Sequence, residues 1–238
     1  MTWTRALWVA RKEWKETFNS PMPYIVLVLF FLLSGWFFTG SLLLEGKASL
    51  DGFFGPLPLI LSIFMPALTL RLFAEEFKSG TIEMLGTLPL TDADIVGGKF
   101  AAALAVWSVG VLLSLYYLLL LVVIGPPDVG QMAAGYAGLF FLGGFFSSLG
   151  LFGSSLTRSP VVAFLWGFLL CFSFYLVGPA SNYVPGLTGQ ILSFLSVDRH
   201  FENFLKGVVD SRDVLFFVSG TGMALAGTWV RLRAWRSR

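Results

Sequence analysis

The sequence predicts an all-α fold: a polytopic membrane protein with six transmembrane helices. Composition is the first reason. Of the 238 residues, 56% are hydrophobic and 13% are charged, and the mean hydropathy is +0.78. A soluble domain carries about 25% charged residues, a density that keeps a surface dispersed in water. A soluble enzyme, a disordered chain, a coiled coil and a disulfide-stapled domain are therefore excluded, the last also because Cys171 is the single cysteine. Charge spacing is the second reason. No Asp, Glu, Lys or Arg falls between Glu16 and Glu45, Asp51 and Arg71, Lys99 and Asp128, Asp128 and Arg158, Arg158 and Asp198, or Asp213 and Arg231. Crossing ~30 Å of hydrocarbon takes ~20 apolar residues, so each gap holds about one span. The third reason is the distribution of basic residues. With six spans, twelve of the sixteen Lys and Arg fall on the side carrying both termini, which predicts cytoplasmic termini in a bacterial-type inner membrane.

The elements follow in order. Residues 1–20 read as an amphipathic interfacial helix, with Trp3, Leu7, Trp14 and Phe18 on one stripe and Arg5, Lys12 and Glu16 mostly away from it. Membrane lipid is its expected partner, and a passive anchor is the plain alternative. Asn19-Ser-Pro-Met-Pro23 breaks this helix and turns the chain into the bilayer. The first apolar run lacks a small-residue cleavage site and is followed by Glu45 and Lys47, so it reads as a retained signal anchor. Span cores are expected at 24–44, 53–72, 101–124, 132–156, 160–177 and 214–230. The Arg158–Asp198 gap has room for two spans, but its second half carries Pro179, Pro185, Gly186 and Gly189 among Ser181, Asn182, Thr188 and Gln190. Such residues weaken a lipid-exposed helix. Two half-depth helices, near Ser181 and over 187–195, fit better, making 179–213 a re-entrant and interfacial extracytoplasmic segment. A seventh span is the alternative.

The loop 71–99 carries the most information. Ser79-Gly80 interrupts the helix leaving span two. Thr81 can cap a short helix over 81–88, which Pro89 ends. Thr91 and Asp94 form a capping-box pattern opening span three. The short helix offers Ile82, Met84, Leu85 and Leu88 as its apolar set, and an exposed two-turn helix needs a surface to dock on. That surface is either its own membrane domain or a groove in a soluble partner. In span four, Gly143 and Gly144 with other glycines read either as a moving, gate-like helix or as tight packing, and Phe140, Phe141, Phe145 and Phe146 as facing lipid or cargo. His200, Phe201, Phe204 and Val208 read as an outer interfacial helix, with His200 bonding Asp198 or Glu202, and with Asp210, Ser211 and Asp213 capping span six.

Enzymatic chemistry is missing. The span cores hold no charged residue beyond Arg71 at the end of span two, which argues against a proton- or sodium-driven carrier. Gly97-Gly-Lys99 is followed by Phe100 rather than Ser or Thr, so no Walker A motif exists. His200, the sole histidine, has no companions for a metal site, and no serine has a His or Lys partner within the membrane. No catalytic, cofactor-binding or metal-binding residue is expected, and no nucleic-acid partner.

The run from Glu75 to Leu90, followed by Gly98-Lys-Phe100, resembles the cytoplasmic loop of type-2 ABC exporter permeases, most closely the gliding-motility subgroup. A second run, His200 to Val214, resembles that subgroup's approach to the last span. The whole chain, 1–238, then reads as one permease domain. The resemblance implies that 81–88 is a coupling helix seated on a separate ABC ATPase. Glu75, Glu76, Thr81, Ile82, Glu83, Met84, Leu85 and Leu88 would lie at that contact. The ATPase would bind ATP and Mg, and a second permease copy or paralogue would complete a dimer. It also implies an external gate near His200, Phe201 and Phe204. Gly86 departs from the pattern, where a larger residue is expected, and weakens the short helix by up to ~1 kcal/mol. A membrane scaffold for a surface or motility complex shares these features and is the alternative. Cargo is not legible.

Overall fold

A computed structural model of the chain describes residues 2–45, 49–83, 89–125, 128–181 and 183–236, with the side chains of 2–4, 44 and 45 excepted. The helices are α1 (Thr2–Phe18), α2 (Met22–Glu45), α3 (Asp51–Phe54), α4 (Leu57–Thr69), α5 (Arg71–Ser79), α6 (Asp92–Ile124), α7 (Val129–Ser155), α8 (Pro160–Ser181), α9 (Leu187–Leu195), α10 (Val197–Leu205) and α11 (Ser211–Arg236). Among the described residues there is no strand. Six stretches are long and apolar enough to cross a membrane: α2, α4 with α5, α6, α7, α8 and α11. The all-α polytopic expectation holds. A backbone in hydrocarbon must satisfy its own polar groups, and helices do so locally. Among the described residues no seventh helix is long and apolar enough to cross; the nine residues of α9 rise only about 14 Å.

Span α7 is the centre, packing against α4, α5, α6, α8, α10 and α11. Most of its length is buried, as is that of α4, whereas α2, α6, α8 and α11 expose apolar side chains such as Trp36, Leu119, Leu165 and Met223. Glycine makes α7 the centre, since small residues allow close approach in lipid. A Cβ on Gly143 would collide with the Trp107 indole nitrogen, which donates to the Leu139 carbonyl at 3.4 Å. A Cβ on Gly138 would lie 2.7 Å from the Phe204 side chain. The glycines of span four thus contact neighbours within the same chain. Phe145 and Phe146 are corrected likewise. Both are buried in the core, Phe145 against Phe174 and Phe217, and only Phe140 of the four phenylalanines is exposed.

Span two is interrupted rather than continuous over 53–72. Pro56 separates α3 from α4, and Leu70 separates α4 from α5. At the second break Ser154 of α7 donates to the Leu70 carbonyl at 2.9 Å and accepts from the Phe73 and Ala74 amides at 3.1 Å. One hydroxyl thereby occupies backbone groups freed by the break. Span three begins earlier than its apolar core. The Thr91–Asp94 capping box is formed, with Thr91 Oγ1 accepting from the Asp94 amide at 3.2 Å and Asp94 Oδ2 from the Thr91 amide at 3.0 Å. From there α6 runs 33 residues, about 50 Å, well beyond hydrocarbon thickness.

The segment before span six is also corrected. Helix α10 does not present Phe201 and Phe204 outward; both are buried against the core around α7, and Val208 lies beyond the helix end. Aromatic bulk fills a protein pocket here.

Gly143→Ala should lower the thermal midpoint of the detergent-solubilised chain, an overpacking cost of about 1–3 kcal/mol. Gly40→Ala, whose added methyl meets nothing within 4 Å, should leave the midpoint unchanged or raise it slightly. Intrinsic-fluorescence melting curves of the two variants check this.

Candidate functional site

On the face carrying the chain termini, α1 lies along the protruding first turns of α6. Gly98 permits the contact: a Cβ there would sit 2.6 Å from the Val9 Cβ and 2.8 Å from the Ala6 carbonyl. The face of α1 turned to α6 is therefore Ala6, Val9 and Glu13. It differs from the expected stripe, in which Leu7 is exposed and Trp14 and Phe18 are half-buried. The side chain of Trp3 lies outside the described residues.

Because Gly98 brings the backbones together, its neighbour Lys99 enters the contact with no exposed surface. The Lys99 ammonium donates to Glu13 Oε1 at 3.0 Å and pairs with Glu76 Oε1 at 2.8 Å. It also lies 5.2 Å from the centroid of the Phe73 ring. Lys12 stands behind the same two oxygens, at 3.6 Å from Glu13 and 3.8 Å from Glu76. Two cations and two carboxylates thus tie α1, α5 and α6 together with no net charge. A buried ammonium is tolerable only when paired this way. Burial pulls the Lys12 ammonium down, but Glu13, Glu16 and Glu76 outweigh it and hold the group above the usual lysine range. The second oxygen of Glu76, Oε2, is buried without a hydrogen-bond partner.

An apolar patch adjoins the charges. Leu72, Phe73, Ile82, Ile95, Leu151 and Leu232 pack together, and Arg236 of α11 pairs with Asp92 at 2.9 Å. Helix α5 ends at Gly80, whose φ of 75° is the left-handed cap that glycine adopts most easily. Of the predicted partner contacts, Glu75 is exposed beside Arg71 at 3.8 Å, and Glu76 turns inward to Lys99. Thr81 and Glu83 are exposed, and Ile82 is buried against its own chain. Met84, Leu85, Gly86 and Leu88 lie outside the described residues. Glu13 and Lys99 escaped the sequence reading. The available signal was Gly98 beside a lysine, opposite a helix carrying Val9 and Glu13 one turn apart.

A cleft of about 610 Å³ opens between α1 and the α4–α5 span. Its charged wall includes Lys12, Glu16, Arg71 and Glu75, and its apolar floor includes Met22 and Leu68.

A second polar cluster sits at the opposite end. His200 Nδ1 lies 2.6 Å from Asp213 Oδ1, and Nε2 lies 2.9 Å from the Phe194 carbonyl. Asn203 donates to Asp213 Oδ2 at 2.9 Å, and the imidazole stacks on Phe216 at 4.1 Å. The expected partners Asp198 and Glu202 are not used, because residues two apart on a helix do not face each other. Asp213 is likewise a buried partner of α10 rather than a solvent-facing cap. Gly143 and Gly144 are buried within α7, and the adjoining Phe145 meets Phe216, the ring on which His200 stacks. Among the described residues, no three His, Cys, Asp or Glu side chains converge on a metal-sized point.

The arrangement offers rigid joints at the two ends of a helical bundle. The sequence model of a family described as ABC-2 family transporter protein matches residues 7–213, which include both clusters. No curated protein matches the chain.

Lys99→Met should lower the thermal midpoint sharply. Removing one partner of a buried pair costs about 3–5 kcal/mol. Adding Glu13→Gln and Glu76→Gln to Lys99→Met should recover part of the loss, since no uncompensated charge then stays buried. A triple variant as unstable as the single one would show that the ammonium is not what the carboxylates require.

Proposed function

The chain belongs to the ABC-2 family of transporter proteins, and on that premise we propose that it is the permease subunit of an ATP-driven exporter. It performs no bond chemistry. A separate ABC ATPase binds ATP and Mg, and two permeases, identical or paralogous, form the path across the cytoplasmic membrane. Both termini lie in the cytoplasm, in keeping with the twelve-to-four split of basic residues. The runs at 75–90 and 200–214 favour the gliding-motility subgroup.

The observation that carries the reading is the mechanical setting of the loop 71–99. It leaves α5 through the Gly80 cap and returns through the Thr91–Asp94 capping box. Its base is tied to α1 and α6 by Glu76 and Lys99. A coupling helix at 81–88 therefore stands on a stiff base. When ATP draws the two ATPases together, force on Thr81, Glu83, Met84, Leu85 and Leu88 passes into α5 and α6. Glu75 and Glu76 lie at the base of this contact, and α1 flanks it. At the far end His200 and Asp213 join α10 to α11, where the external gate would form with Phe201 and Phe204.

Leu85→Arg and Glu83→Lys test the coupling. Each should abolish co-purification with a Walker-motif ABC ATPase co-expressed as its partner while membrane insertion stays normal. Loss of a central apolar anchor costs about 2 kcal/mol or more, over tenfold in affinity. ATPase association and export that both survive Leu85→Arg would overturn the docking at 81–88, whereas a chain with which no ATPase co-purifies and which exports nothing would leave a membrane scaffold in place of the permease.

A further inference from the structure

We propose that the cleft between α1 and the α4–α5 span is a binding site for a zwitterionic, amine-bearing phospholipid of the leaflet on the side of the chain termini. Its depth suits a headgroup. Met22 and Pro23 open the first span and Leu68 lies near the end of α4, so the floor is apolar. Trp14, Phe18 and Tyr24 form a chain of ring contacts at the α1–α2 turn, with centroids at 4.4 and 5.8 Å, outside the lining of the cleft itself. Aromatic side chains of this kind settle at the boundary between headgroups and acyl chains.

The charges above the floor come in both signs: Lys12 and Arg71 face Glu16 and Glu75, and Glu13 and Glu76 of the Lys99 cluster, which also touch Lys12, line the inner wall. Lys12 and Glu16 are 3.5 Å apart, and Arg71 and Glu75 are 3.8 Å apart, with each side chain about half exposed. Arg71 Nη1 also donates to Ser20 Oγ at 3.1 Å. A guanidinium beside a hydroxyl and an ammonium suits a phosphodiester, which accepts a planar pair of N–H donors. Glu16 and Glu75 suit a primary ammonium, which donates up to three hydrogen bonds. A bound zwitterion exchanges the half-exposed Lys12–Glu16 and Arg71–Glu75 pairs for two pairs of its own, while Lys12 keeps Glu13 and Glu76 as neighbours. The volume of about 610 Å³ equals about twenty waters, room for a headgroup and the upper acyl chains. A free anion would use the cations and leave the apolar floor empty. The site stands whether or not the loop 71–99 docks an ATPase.

Native mass spectrometry of the full purified chain tests the site, with phosphatidylethanolamine, phosphatidylcholine, phosphatidylglycerol and inorganic phosphate as probes. Phosphatidylethanolamine should be retained about tenfold more tightly than phosphatidylglycerol. Arg71→Gln should weaken all three lipids. Glu16→Gln with Glu75→Gln should erase the preference for phosphatidylethanolamine over phosphatidylcholine. Ser20→Ala should weaken the three lipids in the same direction as Arg71→Gln and replaces it should that variant misfold. Equal retention of the three lipids, or retention untouched by these substitutions, overturns the proposal. So does displacement of lipid by millimolar inorganic phosphate, which would assign the site to a soluble anion. Loss of ATPase co-purification in the cleft variants with lipid retention unchanged overturns it too, in favour of a protein contact.

Discussion

Burying the Lys99 ammonium is unfavourable by several kcal/mol unless carboxylates meet it, and here they come from two other helices at once. This requirement organises the terminal face of the molecule. Glu13 reaches Lys99 only while α1 lies along α6, and α1 lies there only because Gly98 has no side chain to hold it off. Glu76 reaches the same ammonium only while α5 holds its angle. That angle is set by Ser154, which occupies the backbone groups at the Leu70 break. Displacing any one of the three helices strands charge in a dry place. The terminal face therefore moves as a unit.

The opposite end uses the same logic with different groups. His200 gathers a carboxylate from α11 and a carbonyl from the end of α9, and Asn203 takes the remaining carboxylate oxygen. Between the two clusters the bundle is nearly all apolar, and its order comes from shape. The glycines of α7 receive the Trp107 indole and the Phe204 ring, so the central helix is specified by where side chains are absent. Outer spans keep apolar surfaces that water would not tolerate, which fits a hydrocarbon surround.

Much of this was legible in the sequence, because hydropathy, caps and breakers act locally. The spans follow from gaps between charges, and the start of α6 from Thr91 and Asp94. The end of α5 follows from Gly80. What could not be read was pairing between distant segments. Lys99 and Glu13 are 86 residues apart, and each alone looks like an ordinary charge at a span end. The packing face of α1 was missed for the same reason. A hydrophobic stripe identifies an apolar side, but Val9 and Glu13 are chosen by the partner helix. His200 was assigned to near neighbours in sequence, whereas helix geometry turns those away and brings in Asp213. The phenylalanines of α7 divide between core and surface according to neighbours that no single segment reveals.

The uninterrupted length of α6 has a consequence for how displacement travels. A rod of 33 residues spans about 50 Å, with a charged anchor at one end and aromatic packing along its shaft. It contains no proline. Span two, by contrast, has a joint at Leu70. A tilt of about 5° at the Lys99 anchor swings the far end of the rod, about 38 Å away, by about 3 Å, comparable with the diameter of a water molecule. The jointed span is pinned at Leu70 by Ser154, while the rod carries a displacement through the depth of the bundle.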